Sequence, residues 1–399
     1  MAAAVEISRE TEFAMKACTR ILFMLLLAFA LPIVLSGCKE RMDTSDLSAQ
    51  AFVKAMGIDY QNGQYFVTVQ LMDFSAIAKS ESPKAQKPSV WIGAGHGKSI
   101  SEANKQIAVA TQSTLNFEQL SVVIVREPAM VKMAQILDAV NRVRVTRYTS
   151  WIYGTRSDLN DIFTASAFFE LSQTYSYIYN PLALEKQNST VPPVTMQKFV
   201  TAFNEKAMTA LLPSVSVSSK IWRENKRPIT VQELDGVFAF KMKHKPVYLP
   251  LKQVTGVRWS KNPLYRAQYT VQSEGQQDAA VVGIRYAKVK KKELKAGKSG
   301  PKFVLHVKAY GDLTEMGGSM TVGEIEGKVR KLIEEEIMLA YTSGIREHLD
   351  LFNLEEVMYR YHLGEWKKTA RSGDWLPGEK DLQVKVSFGI RRAGVFEMQ

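Results

Sequence analysis

The residue best suited to covalent chemistry is Cys38, one of two cysteines in the sequence. It follows Leu35, Ser36 and Gly37, at the end of an almost wholly apolar run over residues 21–35. Small residues before a thiol give an enzyme access to the backbone there. The pattern therefore predicts modification of the Cys38 thiol, followed by cleavage of the chain just before it.

The segment that positions Cys38 has the layout of a secretory signal. Lys16 and Arg20 place positive charge before the apolar run, which is shorter than the ~20 residues that span a bilayer. Leu-Ser-Gly-Cys resembles the bacterial lipobox, in which the Cys thiol receives diacylglycerol. We therefore expect a lipoprotein signal peptide over residues 1–37, with an uncleaved membrane anchor as the alternative. Residues 1–13 are too acidic for a signal, which favours Met15 over Met1 as the translation start.

Composition bounds the exported part of the chain. The chain carries a formal net charge of +12 and is 46% hydrophobic, and the 362 residues from Cys38 onward are enough for two or three domains. Cys18 lies inside the predicted signal, so we expect no disulfide, and no cofactor beyond the diacylglycerol on Cys38. No second apolar stretch is long enough to cross a membrane. We expect a tethered protein.

A lysine cluster provides a second candidate site. Its members lie between two long predicted strands and are Lys288, Lys290, Lys291, Lys292 and Lys295. The first interpretation is a solvated hairpin tip. The alternative is contact with an anionic lipid surface, to which each lysine contributes ~1 kcal/mol before screening. No aromatic residues alternate with these lysines, so we expect no nucleic acid as a partner.

Other patterns are weaker. Residues 93–99 (GAGHGKS) resemble a phosphate-binding loop but are one residue short, with Ile92 where glycine is required, so we expect no nucleotide. The five histidines are scattered, and no GxSxG motif occurs, which predicts neither a metal site nor an enzyme. Tyr175, Tyr177 and Tyr179 are spaced by two, which fits either a partner-binding edge or packing inside the first domain.

The pattern of elements predicts an α+β, multi-domain protein with mixed β-sheets packed against helices. Up to residue 153, strands alternate with helices at 99–112 and 129–141, and helices are also predicted at 158–169, 171–179 and 194–210. The polar segment 218–232 predicts a linker between a 38–217 N-terminal domain and a 233–399 C-terminal domain. The latter contains a long helix from residue 322, with Ile325, Val329, Leu332, Ile333, Ile337 and Ala340 as its core stripe.

These motifs, taken in order, resemble one family. LSGC (35–38) is followed by AMGIDYQNGQYFVTVQL (55–71), GHGKSISEANKQIA (95–108) and LSVVIV (120–125). The second half has GVFAFKMKHKPVYLPL (236–251) and the long helix. The sequence resembles the Ger(x)C family, the lipoprotein C subunits of GerA-type nutrient germinant receptors. Lys39-Glu40 and the segment 142–147 depart from the family pattern.

The resemblance implies a non-catalytic subunit, anchored to the outer face of the spore inner membrane. Its implied partners are an A-type and a B-type membrane subunit, and its implied role is to trigger spore germination. The alternative is a solute-binding lipoprotein of an importer, which shares the signal and the length. That alternative requires two matching α/β lobes, whereas the second half here is rich in strands and has one very long helix.

Overall fold

The computed structural model describes residues 50–72, 89–142, 148–187, 189–242, 244–260, 264, 266–273, 279–297, 300–317, 320–369 and 375–392. Residues 51–399 form one compact unit. The predicted signal peptide and the lipobox residues Leu35, Ser36, Gly37 and Cys38 lie outside the described residues, so lipidation of Cys38 stays a prediction.

The first sheet is mixed and has nine strands in the order β11-β10-β7-β6-β5-β1-β2-β3, with β4 also paired to β1. Its strands, numbered along the chain, are β1 (Gln50–Gln61), β2 (Gln64–Leu71), β3 (Trp91–Gly97), β4 (Thr114–Asn116), β5 (Val122–Arg126), β6 (Trp151–Thr155), β7 (Ala210–Ser218), β10 (Val231–Phe240) and β11 (Val247–Pro250). The pairs β1–β5, β5–β6 and β6–β7 are parallel. The Asn62-Gly63 turn joins β1 to β2, with both residues at positive φ.

Helices cover both faces of this sheet. They are α1 (Ile100–Val109), α2 (Met133–Arg142), α3 (Leu159–Thr164), α4 (Pro181–Gln187) and α5 (Met196–Asn204). Along β5, Val123 and Val125 belong to the apolar cluster shared with α1, α2 and α5, whereas Val122 and Ile124 belong to the cluster shared with α3. Strand side chains alternate between faces, so an apolar run such as this one is buried on both sides.

The second sheet has four strands in the order β12-β13-β14-β15, and one face packs on a long helix. The elements are β12 (Gln268–Gln272), β13 (Ala279–Gly297), β14 (Gly300–Glu315), β15 (Leu382–Arg392), α6 (Leu251–Val254), α7 (Val322–Arg346), α8 (Leu354–Tyr361) and α9 (Leu363–Thr369). Thr321 and Glu324 form a capping box at the start of α7. The predicted core stripe of α7 is confirmed, with Leu332 partly buried and the rest buried.

The segment 218–232, predicted as a linker, contains short strands. Residues 218–232 contain the end of β7, a short hairpin of β8 (Arg223–Glu224) and β9 (Arg227–Pro228), and the start of β10. β10 pairs antiparallel with β7 from Val231↔Ser218 to Phe240↔Ala210, so the first sheet continues across the predicted boundary. The polarity of the segment gives no sign that the strands on either side of it pair with each other.

Strand β10 also contributes to two cores. Phe238 and Phe240 belong to the core under α1, α2 and α5, whereas Val237 and Ala239 belong to the core under α7. Successive side chains of a strand point to opposite faces, so one strand forms a wall of each core. The two cores are therefore joined by a shared strand.

Three predicted helices in the first half are shorter or absent. Helix α3 ends at Thr164, and α5 covers only the middle of the predicted 194–210 span. The stretch 171–179 contains a single 3₁₀ turn, Gln173–Tyr175, in place of a helix. The predicted fold class, α+β with mixed sheets and a long helix in the second half, is confirmed.

A buried ion pair fixes α7 against the rest of the second core. Arg258, in the 3₁₀ turn Thr255–Ser260, donates from Nε and Nη2 to the two carboxylate oxygens of Glu336, at 2.7 and 2.6 Å. Trp259 and Tyr269 also donate to this carboxylate. A Cβ at Gly256 would lie 2.2 Å from the carbonyl oxygen of Glu336, so only glycine allows this close approach.

We predict that Glu336→Ala lowers the free energy of unfolding by about 3–5 kcal/mol, because it leaves the Arg258 guanidinium buried without its carboxylate. The neighbouring Glu335 pairs with Lys331 at 3.8 Å on the exposed side of α7, so Glu335→Ala should change stability by less than ~1 kcal/mol. Urea unfolding of the two variants measures the difference. Equal, small losses would contradict the anchoring role of the pair.

Candidate interaction surfaces

An exposed aromatic cluster lies where the first sheet meets the β8–β9 hairpin. Phe169 is 89% exposed, Ile221 73% and Trp222 50%. The rings of Phe168 and Trp222 meet edge to face with centroids 4.8 Å apart, and Phe168 lies 6.1 Å from Phe169. Neighbouring exposed apolar side chains of this kind mark contact sites on soluble domains. We call these four residues the aromatic cluster.

The backbone of the aromatic cluster is strained and held in place. Phe169 has φ +59°, a left-handed conformation that costs a non-glycine residue about 1–2 kcal/mol. The Ser166 N–H donates to the carbonyl of Thr230 at 2.8 Å, and the Ile229 N–H donates to the carbonyl of Trp222 at 3.1 Å. These bonds fix the two segments that carry the cluster. Strain kept at an exposed aromatic residue points to a functional role.

Basic side chains border the aromatic cluster. Lys220, Arg223, Lys226 and Arg227 are all exposed along the hairpin, together with the single acid Glu224. Aromatic and arginine side chains are enriched in the centres of protein interfaces. The surface thus combines exposed rings with positive charge.

The topology separates the aromatic cluster from the start of the described chain. Because β1, β5, β6 and β7 run parallel, their carboxyl ends meet at one edge of the sheet. The cluster lies after β7, at that carboxyl edge. Gln50, where β1 begins, lies at the opposite, amino edge.

The tyrosines of the TYSYIYNP segment divide between surface and interior. Tyr175 is 67% exposed, whereas Tyr177 and Tyr179 pack on the apolar cluster beneath α3. Burial raises the pKa of both packed tyrosines above the ordinary value. The Tyr179 hydroxyl donates to Gln70, whose amide donates in turn to the Phe163 carbonyl at 2.9 Å. Two of the three tyrosines, Tyr177 and Tyr179, are therefore packed inside the protein, which was the alternative to a partner-binding edge.

The predicted lysine site is split by strand alternation. Lys288 and Lys290 are exposed on the face of the second sheet that points away from α7. Lys291 points to the other face, where its ammonium donates to the Phe352 carbonyl and burial lowers its pKa. Lys291 is thus bonded inside the protein, a correction to the predicted set. The side chains of Lys292 and Lys295 lie outside what the structure describes.

The exposed face around Lys288 carries further basic residues. Lys308 lies opposite Lys288, His306 lies opposite Lys290, and Lys385 lies opposite His306 on the next strand. Arg391 lies on the same face, with its guanidinium 3.6 Å from the Tyr310 ring centre. We call this set, Lys288, Lys290, His306, Lys308, Lys385 and Arg391, the basic face.

A polar pocket of about 320 Å³ lies at the carboxyl edge of the first sheet. Asp59 at the end of β1 accepts from Arg126 at 2.6 Å and from Gln61 at 2.6 Å. Asp59 and Arg126 thus form an ion pair in the wall of the pocket. In the part of the chain that is described, Arg126 Nε is the one atom of this pair that is buried without a hydrogen-bond partner.

The glycine-rich segment 93–99 forms the end of β3 and the start of α1. Ser99 caps α1 by accepting from the Glu102 N–H at 3.1 Å, and the Glu102 carboxylate accepts from the Lys98 N–H at 2.7 Å. A Cβ at Gly95 would lie 2.4 Å from the Ala103 carbonyl oxygen. The glycine therefore serves the close packing of α1 on β3. The absence of nucleotide binding stays a prediction.

Two further searches cover the described residues only. Within them, no group of three or more His, Cys, Asp or Glu residues is placed to hold a metal ion. Within the same ranges, no helix is both long enough and apolar enough to cross a membrane.

The aromatic cluster is the feature that sequence reasoning missed. The sequence predicts Phe168 and Phe169 inside a helix and Trp222 inside a linker. Neither prediction indicates that these rings form an exposed cluster. The available signal was the pair of adjacent phenylalanines, together with Ile-Trp inside an otherwise polar segment. Both pairs break the amphipathic pattern that a buried element requires.

Taken together, the fold and surfaces define an α+β protein whose apolar clusters share strands of the first sheet, and with exposed surfaces suited to binding. Comparison with known proteins then identifies the family. One family model, described as "Spore germination protein N-terminal domain", matches residues 43–217. A second, "Spore germination B3/ GerAC like, C-terminal", matches residues 235–394. The chain belongs to this GerAC-like family of spore germination proteins, which confirms the resemblance seen in the sequence.

A solved structure supports the fold. The structure titled "Crystal Structure of the GerBC protein" aligns with a TM-score of 0.52 at 18% sequence identity, covering 84% of this chain and 96% of that one. A likeness at this identity shows the shared fold alone. Comparison with curated protein sequences gives no significant match.

We predict that Phe169→Gly is more stable than Phe169→Ala by about 1 kcal/mol. Both changes remove the exposed ring, but only glycine adopts positive φ without strain. Thermal or urea unfolding of the two variants measures the difference. If the two variants unfold alike, the left-handed conformation at residue 169 is not a feature of the folded protein.

Proposed function

We propose that this chain is a non-catalytic, lipid-anchored subunit of a spore nutrient germinant receptor. It acts through contacts with A-type and B-type membrane subunits, and those contacts transmit the trigger for germination. Membership of the GerAC-like family supports a role in spore germination, because the two family models match both halves of the chain. The observation that carries a contact-based role is the aromatic cluster.

The anchor in this proposal is diacylglycerol on Cys38, on the outer face of the spore inner membrane. Two acyl chains hold a protein to a bilayer far better than one. The stalk from residue 39 to Gln50 is about 12 residues, with a maximum reach of roughly 40 Å. The folded unit is therefore confined near the membrane surface, where membrane subunits are within reach.

The aromatic cluster is the proposed contact for a membrane subunit. It lies at the carboxyl edge of the first sheet, opposite the edge at which Gln50 begins β1. Its exposed rings fit an apolar pocket on the partner, and the basic border fits acidic residues around that pocket. Truncation of such central aromatic residues typically reduces affinity by 2 kcal/mol or more, about thirtyfold.

The anchor is tested by pull-down from detergent-solubilised spore inner membrane. We expect the wild-type protein to recover A-type and B-type subunits. Cys38→Ala should recover much less of both, because the protein is no longer concentrated at the membrane. Recovery of importer permeases by both proteins would contradict the receptor role and support a solute-binding lipoprotein, for which the Asp59–Arg126 pocket is the candidate site.

The contact surface is tested in the same membranes with the anchor intact. Trp222→Ala combined with Phe169→Gly should reduce recovery of the membrane subunits by more than tenfold. Tyr361→Ala is the matched control, since Tyr361 is 75% exposed and belongs to α8, not to the cluster. Unchanged recovery with the double variant, or an equal loss with Tyr361→Ala, would exclude the aromatic cluster as the contact.

A further inference from the structure

The open face of the second sheet is a separate, positively charged surface. On β13, β14 and β15, Lys288, Lys308 and Lys385 point away from α7 and are exposed to solvent. Residues on the opposite face of these strands, such as Val289, Val307 and Phe388, are buried in the core under α7. Helix α7 therefore covers only one side of this sheet, and the basic face is the other side.

Charges on the basic face are paired with like charges. Lys288 lies directly opposite Lys308, and His306 lies between Lys290 and Lys385. Side chains directly opposite each other on neighbouring strands are about 5 Å apart, and like charges there are destabilising. The Lys288–Lys308 pair is therefore a local source of repulsion in the folded protein. A bound anionic surface would convert this repulsion into attraction.

The acids nearest the basic face do not neutralise it. Asp312 lies one row beyond Tyr310 and pairs with Arg285 at 2.7 Å. Glu326 accepts from the backbone N–H of Ile390 at 2.8 Å, at the outer edge of β15. Among the side chains that are described, neither acid bonds to a lysine of the face.

Aromatic rings lie at one end of the basic face. Tyr286 and Tyr310 stack with ring centres 5.3 Å apart, and Arg391 lies over Tyr310. Tyrosine and arginine are amphipathic, and tyrosine is enriched at the level of lipid headgroups. The surface thus combines charge with residues suited to a membrane–water interface.

We infer that the basic face binds the anionic surface of the membrane and sets the orientation of the folded unit on it. Two observations favour a lipid surface as the occupant. The face is an open sheet of three strands with charge spread across it, which is complementary to a plane of headgroups. The short stalk from Cys38 keeps the unit within roughly 40 Å of such a plane, and this second argument rests on the proposed anchoring.

Vesicle binding tests the inference without the anchor. All apolar clusters lie within residues 51–399, so protein comprising residues 39–399 retains every packing contact described. We expect it to sediment with phosphatidylcholine vesicles that contain about 30% phosphatidylglycerol, and not with pure phosphatidylcholine. Binding should weaken steeply as salt rises to about 0.5 M, because salt screens exposed charges.

Each lysine near an anionic surface contributes about 1 kcal/mol, a little more than fivefold in affinity. The variant Lys288→Ala with Lys308→Ala should therefore bind these anionic vesicles about 30-fold more weakly. Its thermal stability should not fall, since the change removes a repulsion. The matched control is Lys105→Ala with Lys198→Ala, which removes two exposed lysines from α1 and α5.

Equal binding to neutral vesicles, an unchanged affinity in the double variant, or an equal loss in the control would each overturn the inference. Failure here is distinguishable from failure of the receptor role. The vesicle experiment uses neither the anchor nor the membrane subunits, whereas the pull-down depends on both.

Discussion

Strand β10 is the constraint on which the rest of the structure depends. Its even-numbered side chains Phe238 and Phe240 fill the core of the nine-stranded sheet, and Val237 and Ala239 fill the core under α7. Because the strand also pairs with β7 and β11 on its two edges, it cannot move relative to either core without breaking a ladder. The two halves matched by separate family models are thus parts of one packed unit.

This rigid connection gives the surfaces fixed positions. The aromatic cluster extends from the hairpin between β7 and β10, and the basic face belongs to the sheet whose core β10 helps to build. Contact surfaces held on one rigid unit suit a subunit that links a membrane surface to neighbouring proteins better than they suit a hinged solute binder.

Local patterns predicted most elements, whereas long-range pairing was not visible in the sequence. The stripe of α7 and the Asn62-Gly63 turn depend on neighbouring residues and were predicted correctly. The polarity of 218–232 does not reveal that β7, at one end of the segment, pairs with β10, at the other. The predicted lysine site included Lys291 because sequence clustering does not show which way each side chain points. Strand alternation turns Lys291 toward Phe352, whereas Lys288 and Lys290 face solvent. Phe169 was missed because its exposure depends on a left-handed backbone.

The most direct test of the account is photo-crosslinking in intact spores. A photoreactive phenylalanine analogue at position 169 places the probe on the aromatic cluster, and the same analogue at position 361 is the control. The account predicts that position 169 crosslinks to a membrane subunit of a germinant receptor and that position 361 does not. Crosslinks from position 169 to an importer permease, or identical products from both positions, would contradict it.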